Sequence, residues 1–414
     1  MSLLRTIVVP RMLRSTIADA VSRSVTGTTR ALARVRKDYV KRDQVLAWAG
    51  PMILILQLIT WLLLFLFAYG LLLYGTSDKD LGDALRQAGS SLFTLGFADV
   101  NTADQTIIDF IAAATGPIVI ALMIGFLPTI YSSYLDREVA VNALSVPSGE
   151  PAWAPELLSR IALSGQVDQV GGLFENWTSV AARMRMSHST YPVLLWVRSA
   201  RPYRSYAVSL MSTLDAASLT LALAPSVAAP QAFRLLLQGT QTLEVLYIIA
   251  SRRPIAPRIR PFTGEYDSMS TTRARLATRL SDLDRRIGAV AAATDQDAVL
   301  GMGRDAVHAL HAIATKDITL PREEFDKAVE LLRASGFPID RDLDTAWENF
   351  QATRSRYEAV AYELFRTLDS PPAPWTGTRR IPTPTVYPHS ALHLLQEQEP
   401  TTPNPAPPAA DGDA

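Results

Sequence analysis

Two long uncharged runs dominate the distribution of apolar and polar residues along this chain. Residues 45–74 carry no charge, with Gln57 and Thr60 as polar interruptions, and residues 110–135 are also free of charge. A bilayer crossing takes about 20 apolar residues, so each run is long enough to span with some tilt. Between them, residues 83–93 contain no proline and predict a helix of roughly 16 Å, about half the hydrocarbon thickness. Thr94-Leu95-Gly96-Phe97-Ala98-Asp99 then predicts an extended return. Non-helical backbone at membrane depth is tolerated only against protein or water. A helix ending at Thr94 also directs its negative end towards the bilayer centre, where it favours a cation. Span, half-helix, extended return and span together predict a cation pore.

Ser91-Leu92-Phe93-Thr94-Leu95-Gly96-Phe97-Ala98-Asp99 resembles the pore-helix end and selectivity filter of two-transmembrane, tetrameric potassium channels, whose filter reads T-V-G-Y-G-D. Thr94, Gly96, Phe97 (for the aromatic residue) and Asp99 match, and Leu95 replaces valine. The resemblance covers roughly residues 45–138. It implies that the carbonyls of Thr94, Leu95, Gly96 and Phe97, with the Thr94 hydroxyl, replace the hydration shell of K+ where four subunits meet. Ala98 departs from the family by standing where its second glycine requires a left-handed backbone. An L-residue there costs about 1–2 kcal/mol. Either Asp99 and its neighbours hold that strained form, or the outer end is rearranged and passes sodium as well. The resemblance also makes Gly116 and Gly125, beside Pro117 and Pro128, candidates for a gating hinge, although glycine and proline are ordinary in spans.

Charge adds a topology. Residues 1–42 hold ten Lys or Arg against Asp19 and Asp38, whereas residues 75–109 hold Lys79 and Arg86 against six aspartates. The positive-inside bias places both termini in the cytoplasm of a plasma-membrane protein. The acidic loop then lies outside, where Asp99 and Asp104 either concentrate cations or are simply solvated. Residues 17–39 read as an amphipathic helix with a basic face, suited to anionic lipid at the inner surface or merely solvated. The total balance of 40 basic and 40 acidic residues gives no sign of a nucleic-acid partner. The chain contains no cysteine, which excludes disulfides and thiolate chemistry.

The remainder divides by punctuation. Residues 1–44 form the basic N-terminal segment and 45–138 the pore domain. Residues 145–155 (SVPSGEPAWAP) read as a linker. Residues 156–370 predict an α-helical cytoplasmic domain, with helices near 156–164, 168–188, 204–224, 229–251, 268–293, 297–315, 321–335 and 341–369. The run 208–227 is apolar enough to resemble a third span, but Asp215 at its middle favours a buried core helix. Leu276, Leu280, Leu283, Ile287 and Val290 form an a/d seam of two heptads, for packing within the domain or for self-association. The tail 371–414 holds 11 of the 27 prolines and predicts disorder, with 390–396 as a short helical or binding segment.

No enzymatic constellation emerges. Gly301-Met302-Gly303-Arg304-Asp305-Ala306 has the letters of a dinucleotide fingerprint but follows a polar stretch rather than a strand. His308 and His311 lack a third ligand. Arg198, Arg201 and Arg204 suit an anionic ligand or, preferably, a salt-bridged turn. The expected fold is therefore an all-α membrane protein: two transmembrane helices with a re-entrant pore helix, plus an α-helical cytoplasmic domain. The expected function is a homotetrameric monovalent-cation channel, with K+ at the filter and no other cofactor. The cytoplasmic domain would assemble or gate the pore in response to an unidentified ligand or protein. The alternative is a non-conducting, membrane-anchored scaffold or sensor.

Overall fold

The computed structural model describes residues 16–98, 102–251 and 319–377. Among these residues the chain is helical and contains no strand. Asp99, the 276–290 seam, residues 301–306, His308, His311 and residues 390–396 lie outside the described residues.

The basic lead-in forms two helices rather than one. α1 (Thr16–Arg34) ends before Asp38, which adopts extended backbone and caps α2 (Tyr39–Ala47) by accepting from the Val40 N–H. Trp48 joins α2 to α3 (Ala49–Thr76), and the two form a 38-residue apolar rod. α4 (Leu81–Leu92) follows a short turn, and α5 (Ala103–Ser148) is a single 46-residue helix. α5 continues through Pro117, Pro128 and Pro147, so the helix occupies the first part of the expected 145–155 linker. Each proline removes one helical hydrogen bond. Burial of Ala140, Val141 and Leu144 in the main core supports the last turns.

α6 (Ala154–Leu163), α7 (Val170–Thr190), α8 (Tyr206–Leu223), α9 (Pro225–Ser251), α10 (Arg322–Ala334), α11 (Leu343–Arg354) and α12 (Glu358–Leu368) build the second body. The run expected over 341–369 is divided at residues 355–357. Residues 371–377, expected to begin the unfolded tail, pack on the bundle. Trp375 is buried edge-to-face against Trp153, with ring centroids 6.0 Å apart.

Among the described residues three helices are long and apolar enough to cross a membrane. Burial separates them. The apolar windows of the first two are 17% and 22% buried, whereas that of α8 is wholly buried. Protein surrounds α8, and Asp215 at its centre pairs with Arg354 at 2.5 Å and accepts from the Tyr357 hydroxyl at 2.7 Å. Arg354 also reaches Glu358 and donates to the Trp375 carbonyl at 2.7 Å. An ion so enclosed loses several kcal/mol of solvation, which these partners offset. α3 and α5 instead expose Ile55, Ile59, Leu63, Phe67 and Phe110, Ile118, Ile124, Leu127, the surface of a helix pair in an apolar solvent.

Candidate functional site

Local signals start α4 and side-chain size places it. Asp80 caps it by accepting from the Asp83 N–H at 2.7 Å. Ala84 and Ala88 recur one turn apart on its buried face and meet Leu73, with Leu66, Tyr69 and Ile108 around them. α4 thus packs against both α3 and α5. Its last carbonyl, on Leu92, is aimed at Gly116: a Cβ on that glycine would stand 1.9 Å from the oxygen. Gly116 lies roughly 20 Å along the axis of α5 from its start at Ala103. Its lack of a side chain is what allows α4 to end there. Gly125, by contrast, faces open space, and α5 remains helical across Pro117 and Pro128.

After Leu92 the chain leaves the helix through two left-handed residues, Thr94 (φ 56°) and Gly96 (φ 71°). Thr94 pays for this with about 1–2 kcal/mol of strain. Ala98 is not left-handed. Ala98 therefore does not adopt the glycine-type backbone that the family pattern requires at this position.

Four consecutive N–H groups converge on Ser90. Those of Leu95 and Gly96 donate to its carbonyl at 2.7 and 3.4 Å, and those of Phe97 and Ala98 to its hydroxyl at 3.0 and 3.2 Å. A trans peptide is planar, with its C=O opposed to its N–H. The carbonyls of Thr94, Leu95, Gly96 and Phe97 consequently all point away from Ser90. These are the four oxygens singled out in the sequence, and the ribbon that bears them is exposed. The Thr94 hydroxyl donates to the Phe93 carbonyl at 2.7 Å.

Behind the ribbon lies a polar chain. Asp109, buried on α5, accepts from Gln87 Nε2 at 2.7 Å and from the Ser91 hydroxyl at 2.6 Å. Lys79 Nζ donates to Gln87 Oε1 at 2.7 Å, bringing a positive charge near the carboxylate. The Arg86 guanidinium sits over the Phe97 ring, 5.4 Å from its centroid. Sequence reasoning did not single out Ser90, Gln87 or Asp109. The signals available were an adjacent serine pair at the end of a short helix and an acid at the threshold of an apolar run.

At the other end of the spans, both helices meet one turn, the 3-10 helix Pro192–Trp196 and the residues after it. Arg137 of α5 is buried and donates to the Leu194 and Val197 carbonyls at 3.0 and 2.8 Å. Arg198 pairs with Asp43 of α2 and donates to the Leu368 and Asp369 carbonyls. Arg201 and Arg204 pair with Glu150. The three arginines thus form a salt-bridged turn that binds these ends of the two long apolar helices to the helical bundle.

His188 completes this junction. Its Nδ1 lies 2.8 Å from the Met184 carbonyl and so carries the proton, leaving Nε2 to accept from Arg137 at 3.3 Å. Burial, reinforced by the Arg137 charge, pushes its pKa down to about 3. A folded-state value below the ordinary one gives stability that is present above about pH 6.5 and lost as the pH falls, because the unfolded chain then binds the extra proton. The Tm of the purified protein should therefore drop between pH 7 and 5, and His188→Gln should flatten that drop. Equal slopes for the two proteins, followed by circular dichroism, would exclude His188 as its source.

Compared with family models, curated proteins and solved structures, the chain matches none.

Proposed function

We propose that this chain is one subunit of a homotetrameric pore for monovalent cations, with potassium as the principal ion, in the plasma membrane. The observation that carries the proposal is that the four carbonyls from Thr94 to Phe97 are all turned away from Ser90 on an exposed ribbon. Ordered oxygens on a water-poor path can replace a cation's hydration shell, and one subunit supplies a quarter of such a ring. The contact of the α4 end with Gly116, well along the apolar run of α5, supports reading α4 as a re-entrant pore helix. Its negative end then faces the permeating ion. The exposure of the ribbon and of the apolar faces of α3 and α5 agrees with their being covered by other copies and by lipid.

In this reading both termini are cytoplasmic, following the basic residues before α2. The helical bundle acts on the pore through the 192–198 turn, where α2 and α5 are both held. Gly125 is the better hinge candidate, since Gly116 has a packing reason to be glycine. A backbone at Ala98 that is not of the glycine type favours admission of sodium beside potassium. The residues form no catalytic arrangement that we would assign, and no resident cofactor is part of the proposal.

Purified protein in liposomes tests it. Potassium should move down its gradient, with a smaller sodium flux, and light scattering in detergent should give four chains per particle. Absence of flux from a monomer or dimer would favour the non-conducting scaffold.

A further inference from the structure

α1 folds back beside α2 and the first turns of α3, and the two arms leave a cleft of about 1080 Å³ between them. We propose that this cleft binds one anionic phospholipid, its acyl chain between the arms and its headgroup at Arg36 and Lys41. The inference stands apart from the conduction reading, because it concerns only how this arm meets the membrane.

The walls are predominantly apolar where a chain would lie, with Ser24, Thr28, Thr29 and Gln44 interspersed. Val21, Val25 and Leu32 of α1 face Val45, Met52 and Leu56 of the other arm. Leu32 and Trp48 remain 58% and 65% exposed, large apolar surfaces left to water unless something fills the cleft. From Ala20 to Leu32 the cleft follows roughly 18 Å of helix, close to the ~15 Å depth of one hydrocarbon leaflet. It ends at Leu56 and Thr60, on the helix whose Ile55 and Ile59 form the exposed apolar strip of the first span. The cleft is therefore continuous with a surface that lipid already covers in a spanning α3. A soluble peptide would have no such access.

Charge decides the class of headgroup. Arg36 and Lys41 lie on opposite sides of the cleft, at the end where α1 turns into α2. Both are exposed and neither has an ion pair among the described residues. Of the basic residues nearby, Arg30 is committed to the Thr367 carbonyl, Arg42 to Asp369 and Arg198 to Asp43, while the exposed Arg34 and Lys37 do not line the cleft. The nearby Asp38 is occupied in capping α2. Two uncommitted cations at one end of an apolar slot match a phosphodiester bearing a net negative charge.

Trp48 in the cleft wall is a built-in reporter. The full-length protein would be reconstituted in vesicles containing increasing fractions of phosphatidylglycerol or phosphatidylcholine brominated on the acyl chains. Quenching assigned to Trp48, as the part lost in Trp48→Phe, should saturate at a several-fold lower fraction of the anionic lipid. In the double variant R36Q/K41Q that preference should fall at least fivefold, towards the phosphatidylcholine curve. The same circular dichroism spectrum would show that the variants are folded. Equal quenching by both lipids in the unaltered protein, or a preference that survives R36Q/K41Q, overturns the proposal. So does a Trp48 that neither lipid quenches, which would mean that another occupant, such as the chain's own first 15 residues, fills the cleft.

Discussion

Gly116→Ala is expected to abolish most cation flux, by tenfold or more, while Gly125→Ala leaves the packing of the subunit intact. The alanine methyl would stand 1.9 Å from the Leu92 carbonyl oxygen and 3.0 Å from its carbon. Both are backbone atoms at the end of α4, so no side-chain rotation relieves the clash. α4 must instead retreat by more than 1 Å. Overpacking of this kind costs about 1–3 kcal/mol in each subunit. The retreat also pulls Ser91 and Gln87 away from Asp109, leaving a buried carboxylate without two of its donors. The Ser90 anchor moves with the helix, and in the proposed tetramer four such anchors would shift together. Within the chain Gly125 has no atom within 4 Å of an added Cβ, so its alanine variant is the control for packing and melting, while its flux reports on the hinge proposed there. Flux assays, particle mass and melting curves on both variants separate a displaced pore helix from general damage. A Gly116→Ala protein that conducts and melts like the parent would refute the placement of α4.

Ser90→Ala is expected to preserve flux but to erase much of the difference between potassium and sodium. The Ser90 hydroxyl accepts from the Phe97 and Ala98 N–H groups, whereas the Leu95 and Gly96 N–H groups use the Ser90 carbonyl, which alanine retains. The substitution therefore frees only the outer half of the ribbon. An unmade hydrogen bond of this kind is worth about 1 kcal/mol, and more where water cannot reach. Eight such bonds are lost in a tetramer. The carbonyls of Gly96 and Phe97 are then no longer held facing away from Ser90, while those of Thr94 and Leu95 still are. Ser90→Thr preserves the hydroxyl and should restore discrimination, a rescue that bulk packing would not produce. The measurement is the ratio of potassium to sodium flux under opposed gradients. An unchanged ratio in Ser90→Ala, with the unaltered protein selective, would show that the ribbon is not held from Ser90.

Much of the architecture was legible in order along the chain. Residues 83–93 predicted the helix found at Leu81–Leu92, because a capping aspartate, the absence of proline and a glycine-containing exit act locally. Asp215 identified the apolar run around it as a bundle helix, since a carboxylate at that position needs a partner that lipid does not supply. Proline was a less faithful guide. Residues 145–155 read as a linker, yet α5 runs to Ser148. Proline's cost is one local bond, and burial along the adjoining turns outweighs it. The basic lead-in was read as an amphipathic helix, either at the membrane surface or merely solvated. Arg30, Arg42 and Asp43 also tie it to residues 198 and 367–369, at separations that no periodic pattern reports.

The amino-acid order alone determined which stretches are apolar enough to span, which are helical, and which short motif carries the ribbon. Those properties depend on residues within a turn or two of one another, so they survive translation into a linear pattern. Only the tertiary structure decided which way the ribbon's oxygens face, what holds them, and where the two spans are joined to the bundle. Ser90, Asp109, Arg137 and Arg198 acquire these tasks from groups brought beside them by folding. A hydrogen bond depends on distance in space, and the sequence records distance only along the chain.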